Sequence, residues 1–462
     1  MNIIESIHNK DIFLDSFDDL GTWGAWQVYL KALFGLKMTA AETSVYKKHT
    51  GCKKVPAGPN KISYVLSGRR SGKTFLCSLL SVFLSTYKNW SKMLSPGEQG
   101  YVFLVANDKD QARILKRYIS GILNNSPGLK HLIRKELVWE IELNNRITIA
   151  VRTKNFRTLR GYTVIAAILE ELCFWRSEFS ANPDYEILAA IKPSMLTVKD
   201  SMLIGISSAY AKRGLLYDQY KRFYGKTAGP LIWKSSTVDM NPTVDKSIIA
   251  EQIKSDPAKY KSEYLSEFRG DIESYLGVDD LEKVTEKGVW TRSFDPNYTH
   301  KAFCDPSGGR SDSMTLAIGF MVNGYAVLSR LQESKPPFSP EDVVKQFSDT
   351  LKEFGISKIT SDRFGGAWVE ESFKNHGIQV EYSDLPASGL YLNFIPLVMN
   401  EKVLLLDSKK LRMQFANLER RTGSGGREII DHPSGSNDDL CNSAAGLCYI
   451  LEKPEKVLWR VW

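Results

Sequence analysis

Short apolar runs ending in turn residues alternate with longer segments of helical period through the first two hundred or so residues. The run ISYVL (Ile62–Leu66) ends in SGRRSGKT, and FLCSLLSVFLSTY behind it reads as an amphipathic to fully buried helix. YVFLVA (Tyr101–Ala106) precedes a helical stretch over Asp110–Leu123; TVIAAIL closes on Glu170 and Glu171; MLIGIS (Met202–Ser207) follows. Strands alternating with helices predict an α/β fold whose sheet is mainly parallel and covered on both faces. Between Lys212 and Asp295 the chain turns polar, with many lysines, tyrosines and glutamates, and reads as a helical subdomain and linker. From His300 a second α/β pattern starts: KAFCDP, a hairpin within TLAIGFMVNGYAVLSRLQE, a helix near Pro340–Phe354 and the strand KITSD. The expected division is therefore 1–211, 212–295 and 296–462. Neither an internal repeat nor a low-complexity tract interrupts it.

Composition changes this picture little. With 43% hydrophobic and 25% charged residues the chain of 462 has ordinary globular usage, enough to bury real cores and unlike a disordered segment. Lys and Arg total 61 against 53 acidic residues, and the resulting +8 suits a polyanionic partner without identifying one. Six scattered cysteines form no CxxC pair, which argues against a disulfide framework and a cysteine zinc site and fits a reducing compartment. An acidic start and the lack of any run of eighteen apolar residues make secretion and a membrane span unexpected.

The candidate chemistry begins at SGRRSGKT. Ser67, Gly68, Arg69, Arg70, Ser71 and Gly72 can wrap phosphates with backbone N–H groups at a helix N-terminus, while Lys73 reaches β/γ oxygens and Thr74 binds Mg²⁺. Ser67 occupies the place of the motif's first glycine and Gly68 comes one later, so the strand before and the helix behind carry the assignment. An ATPase with such a loop needs a second strand ending in carboxylates. Here Glu170 would be the metal-side acid and Glu171 the base that polarises the attacking water.

With these elements in order, the chain resembles the large terminase subunit of tailed double-stranded DNA bacteriophages, the motor that packages genomes into capsids. TWGAWQVYL resembles the family's element before the loop, which implies that Gln27, with Trp26, contacts adenine. In GRRSGKT the resemblance puts Arg69 at the γ-phosphate sensing position. LRGYTVIAAILEELCFW resembles the segment from an Arg-Gly pair into the acidic strand, with Glu170 where the family usually has aspartate. Ser207 and Ser208 fall at the motif that couples hydrolysis to DNA movement. The likeness runs from about Trp23 to about Leu451.

Downstream, DPSGGRSDSMTLAIG, SDRFGGAWVEESF and DHPSGSNDDLCNSAAG resemble the terminase nuclease domain. A ribonuclease H-like α/β nuclease draws carboxylates from distant elements to hold two divalent ions. Taken singly each aspartate here is an ordinary turn or cap residue. The resemblance makes Asp305, Asp362 and one or both of Asp438 and Asp439 metal ligands, with Asp312 auxiliary. Asn442 stands where the family is often acidic, and His432 could lie near the site, though a lone loop histidine is more often an ordinary solvated residue. If a helix starts near Asn437, Leu440, Ala444, Leu447, Cys448 and Leu451 share its apolar face; Asp439 lies off it, beside small polar positions, as the expected ligand, and Asp438 interacts with the helix N-terminus.

The resemblance implies ATP and Mg²⁺ as cofactors, with Mn²⁺ able to substitute at the nuclease site. It further implies double-stranded DNA, a portal protein and a small terminase subunit as partners, a homo-oligomeric ring on the portal, and the host cytoplasm rather than the mature virion as location. Basic and aromatic residues of KRGLLYDQYKRFYGK (Lys212–Lys226) could grip a phosphate backbone or form a solvated amphipathic helix. Two rival readings remain: a DNA-repair helicase-nuclease, which would unwind forks, and a nucleotide-gated DNA-binding assembly protein, which would neither turn over ATP nor cut.

Overall fold

The computed structural model describes residues 1–453 apart from 91, 155–160, 176–179, 181, 364–366, 423–427 and 434–435. The Leu159–Arg160 part of the expected Arg-Gly segment thus lies outside the described residues. The chain divides into two compact units, 1–175 with 182–270, and 176–181 with 271–462. No helix among the described residues is long and apolar enough to cross a membrane.

Among the described residues, eight strands build the first unit: β1 (Ile62–Ser67), β2 (Gly100–Ala106), β3 (Ile133–Glu136), β4 (Glu140–Leu143), β5 (Ile147–Thr153), β6 (Thr163–Glu170), β7 (Met202–Ser207) and β8 (Leu231–Ser235). They lie in one sheet in the order β3-β4-β5-β2-β6-β7-β1-β8. From β5 to β8 every pairing is parallel, and β3 and β4 add an antiparallel hairpin at one edge. Parallel strands joined by crossovers have both faces covered, which is why β6 and β7 read as unbroken apolar runs rather than as alternation. Two apolar layers flank the sheet: one holds Leu76, Leu80 and Leu84 of the helix Lys73–Thr86 with Leu115 and Ile119 of the helix Lys109–Asn125, the other Ile187 and Ile191 of the helix Pro183–Met195. The segment 212–270 is helical as its composition suggests, yet it also supplies β8, whose LIWKS is too short to stand out in sequence.

The second unit adds β9 (Ile272–Ser274), β10 (His300–Asp305), β11 (Met314–Val322), β12 (Tyr325–Ser334), β13 (Lys358–Ser361), β14 (Gln379–Tyr382), β15 (Val403–Leu404), β16 (Glu419–Thr422) and β17 (Glu428–Asp431). Its main sheet has the order β14-β13-β10-β11-β12-β15, an antiparallel meander β10-β11-β12 continued by parallel β13 and β14, which is ribonuclease H-like. The expected hairpin turns at Asn323-Gly324, both with positive φ (50° and 78°), the conformation that favours these residue types between two strands. β9, β16 and β17 form a separate three-stranded sheet.

Period-two alternation decides what faces what in this unit. On β10, Ala302 and Cys304 pack with Val344 and Phe347 of the helix Pro340–Glu353, whereas Phe303 packs with Ala444, Ala445 and Cys448 of the helix Asp439–Glu452. Gly446 permits that approach, since a Cβ there would come within 2.6 Å of the Phe303 ring. On β11, Thr315 faces the same helix and donates its hydroxyl to the Asp439 carbonyl at 2.7 Å.

Candidate active sites

The first site lies at the carboxyl ends of β1, β6 and β7. In β1 the chain runs into a loop whose Arg70 and Gly72 both have positive φ (65° and 93°), and Gly72 opens the helix Lys73–Thr86. Lys73 is only 5% exposed. Its ammonium donates to the carbonyls of Ser67 (3.2 Å) and Gly68 (3.1 Å) and to the Ser208 hydroxyl (2.9 Å), and lies 3.6 Å from Glu171. A buried cation kept within this ring of oxygens can meet an anion without a fresh desolvation cost. Ser67 donates to Ser71 across the loop at 2.8 Å.

Glu170 and Glu171 leave β6 with different surroundings. Glu170 is 1% exposed, and burial is the main cause that pushes its carboxyl up to about 7, with the Glu171 charge adding to it. Glu171 has left-handed backbone (φ 50°) and accepts from the Ser207 hydroxyl (3.2 Å) and the Ser208 N–H (3.3 Å). Ser207 and Ser208 therefore contact the carboxylate and the lysine directly.

The loop is braced from behind by residues far away in sequence. Thr237 donates its hydroxyl to the Arg69 carbonyl (2.8 Å), the Asn241 amide donates to the Arg70 carbonyl (3.0 Å), and the Arg69 N–H donates to the Glu263 carbonyl (2.6 Å). A Cβ at position 68 would fall 2.2 Å from the Thr237 hydroxyl, so glycine is required there by close approach. The Arg69 guanidinium is exposed and lies 3.3 Å from the Glu263 carboxylate.

Of the expected adenine contacts, Trp26 is buried and its indole donates to the Ser71 carbonyl at 2.7 Å, so it props the loop. Gln27 is engaged with His8 (3.0 Å) and the Leu20 carbonyl (3.4 Å), beside a cavity of about 10 Å³ lined by Phe17, Trp23 and Phe75. In the Lys212–Lys226 stretch, Tyr217 and Tyr220 pack on Phe268, while Lys221, Arg222 and Lys226 are exposed.

The second site is a cleft of about 300 Å³ at the end of β10, lined among others by Asp305, Asp312, Asp362, Asp431, Asp438, Asp439, His432 and Asn442. Asp305 closes β10 and Asp362 follows β13, and the Asp362 N–H donates to the Cys304 carbonyl (3.1 Å), which aligns the two strand ends. Burial pushes the Asp305 carboxyl well above its ordinary range, and the charges of Asp362, Asp439 and Asp438 push the same way. The Asn442 amide donates to Asp362 at 3.0 Å and draws the Asp305 carboxyl in the opposite, downward direction, and its own buried carbonyl oxygen has no hydrogen-bond partner among the described residues.

Helix Asp439–Glu452 begins later than expected, with Asp438 as N-cap. Asp438 makes no side-chain bond to the helix N-terminus, contrary to the role expected for it; it accepts from the Tyr391 hydroxyl at 2.7 Å and lies 3.7 Å from His432. Asp439 is 8% exposed, accepts weakly from the Ser313 N–H (3.4 Å), and is raised to about 6 by burial and by the Asp438 charge. Asp312 is exposed at the rim. His432 lines the cleft, and with Asp431 and Asp438 brings ligand-capable atoms within 4.8 Å of one another. Carboxylates crowded this closely, with an unpartnered amide oxygen beside them, suit divalent cations, because a cation removes the repulsion that otherwise favours protonation.

No protein-family model and no curated protein matches the chain. Similar solved structures include the HK97 bacteriophage large terminase, 15% identical over 84% of this chain and 91% of that one, with a TM-score of 0.37. A large terminase from a thermophilic bacteriophage is 11% identical over 86% of this chain and 96% of that one, at 0.36. The large terminase nuclease from thermophilic phage G20c is 16% identical over 38% of this chain and 98% of that one, at 0.33.

Proposed function

We propose that this chain is a large terminase subunit: an ATPase that drives double-stranded DNA into a procapsid and a two-metal endonuclease that cuts the concatemer. The observation that carries the reading is the presence in one chain of two separate reactive centres. One is a buried lysine beside a carboxylate at a phosphate loop; the other is a cleft gathering Asp305, Asp362, Asp438 and Asp439.

In the first centre the loop N–H groups and Lys73 hold the phosphates, Lys73 offsets charge that builds on the transferred group, and Glu171 takes the proton of the attacking water. Arg69 senses the γ-phosphate, Gln27 contacts the base, and Ser207 and Ser208 relay the state of the site to the neighbouring strand. Thr74 and Glu170 would hold the Mg²⁺ that accompanies ATP. In the second centre Asp305, Asp362, Asp439 and Asp438 would hold Mg²⁺ or Mn²⁺. Divalent ions bound there activate water and stabilise the leaving oxygen of a phosphodiester. The chain's own part is to hold the carboxylates apart at fixed strand and helix ends, with Tyr391 and Asn442 orienting them. A portal protein, a small terminase subunit, a homo-oligomeric ring and the host cytoplasm belong to the same reading.

The test is direct: the purified full chain is expected to hydrolyse ATP faster with DNA and to cut double-stranded DNA with Mg²⁺, Lys73→Ala removing the first activity and Asp305→Ala the second. Loss of both activities in both folded variants would argue against two centres. Displacement of a strand from a forked substrate would favour the helicase-nuclease instead.

A further inference from the structure

Gln111 enters the nucleotide site from the helix Lys109–Asn125, whose N-cap Asp108 accepts from the Gln111 N–H at 2.8 Å. Its side-chain amide donates to Oε2 of Glu170 at 3.0 Å and lies 3.4 Å from the Thr74 hydroxyl. The other oxygen of Glu170, Oε1, is buried and has no hydrogen-bond partner among the described residues. One oxygen of this carboxylate is thus anchored, and the other is uncommitted.

That asymmetry has a physical use. A glutamate has one more side-chain torsion to fix than an aspartate, and an unanchored one loses more rotamer freedom when it is drawn to a ligand. A lysine or arginine in the place of Gln111 would also anchor Glu170, but its charge would compete with a cation for the same carboxylate. A neutral amide orients without competing. We propose that Gln111 is a positioning residue for the cation that accompanies the nucleotide: by holding Oε2 it leaves Oε1 of Glu170 to face the ion or its water, and so lets a glutamate serve at the end of β6. This rests on the nucleotide-site reading above and adds a residue to it.

The test measures binding of a fluorescent ADP to the full chain, across a Mg²⁺ titration and in EDTA. Gln111→Ala should raise the Mg²⁺ concentration at half-saturation roughly tenfold, the worth of one hydrogen bond to a charged group, and leave the EDTA affinity within about twofold. Gln111→Asn, one methylene too short, should give the same shift while keeping a polar residue in the first helical turn. In a Glu170→Asp background Gln111→Ala should have an effect under about twofold, because the shorter carboxylate no longer reaches the amide. An equal loss in both backgrounds, or in EDTA as well, would assign Gln111 to helix structure and overturn the proposal. A Gln111→Ala protein with the wild-type Mg²⁺ dependence would overturn it too, leaving the nucleotide site intact. Wild-type protein that binds no ADP in either condition would sink the nucleotide reading and this inference with it.

Discussion

The ammonium of Lys73 donates to the hydroxyl of Ser208 at 2.9 Å, so the loop after β1 and the end of its sheet neighbour β7 share one charged donor. Lys73→Ala removes that cation, and Glu171→Gln removes the charge of the carboxylate 3.6 Å from it. Each is expected to lower DNA-stimulated phosphate release at least about a hundredfold without unfolding the chain, the usual scale for deleting a charge-stabilising group. Ser208→Ala should cost about tenfold, the worth of one hydrogen bond to a charged group, because the two carbonyl contacts of Lys73 survive. A folded Lys73→Ala protein at half the wild-type rate would refute the assignment.

Asp438 and Asp439 differ in what holds them. Tyr391 and His432 engage Asp438, whereas the Asp439 carboxylate is held among the described residues by the long bond from the Ser313 N–H. Asp439→Asn should therefore eliminate DNA cleavage, and Asp438→Asn should reduce it about tenfold or less. Nicking of a supercoiled plasmid at saturating Mn²⁺ ranks the two, and the reverse order would exchange their roles.

A pH dependence follows from the crowded acids. Asp439 is raised from 3.8 to about 6 on folding, so the folded chain keeps a proton that the unfolded chain releases. Its contribution is fully present below the unfolded pKa and is lost as pH rises through about 6, a loss of about 3 kcal/mol for a shift of this size. Without divalent ions, stability from this site should fall between about pH 4 and pH 7, and Asp439→Asn should flatten that fall. Mg²⁺ or Mn²⁺ should raise the melting temperature more at pH 7.5 than at pH 5. Equal metal effects at both values, followed by calorimetry, would rule out metal binding by these acids.

On the proposed reading, DNA cleavage should survive excision if the cut respects packing. Tyr275, Leu276, Leu281 and Val284 are buried in the core of the second unit, and β9 pairs with β16. A fragment 271–462 is expected to fold and to nick DNA with Mg²⁺ or Mn²⁺. One starting at 296, where the sequence pattern suggests a boundary, forfeits those four side chains at about 1.5–3 kcal/mol each and should be unfolded or molten. Circular dichroism and urea melts compare them; equal stability would mean that 271–295 is a mere tether.

Local features were readable and cross-chain ones were not. β1, β2, β6 and β7 announced themselves as apolar runs bounded by turn residues, and Asn323-Gly324 marked its hairpin. Polar composition, by contrast, hid β8 and made 212–295 look like one piece, although its two ends pack into different units. Glu170 and Lys73 carry motif signals because their chemistry depends on neighbours in sequence. Gln111, Thr237 and Asn241 carry none: a glutamine in an amphipathic helix, a threonine opening a short helix and an asparagine just past its end have ordinary reasons to be there. Tyr391 was equally invisible, since its meaning depends on Asp438, 47 residues away, whereas His432, close to Asp438 in sequence, was visible but could not be told from a solvated loop residue.

The alternation along β10 places a length constraint on the second cleft that is stricter than any constraint on residue identity. Asp305 leaves the strand on the side of Phe303, opposite Cys304, and its neighbour across the ladder is Thr315. Inserting or deleting a single residue within His300–Asp305 would turn the carboxylate toward Val344 and Phe347, into a layer with nothing to offer a charge. Such a frameshift in three dimensions cannot be rescued by any substitution at the cleft itself. Descendants of this chain can therefore exchange many side chains in β10 and keep the acidic cleft, but they should tolerate changes in its residue count only in the loops beyond it.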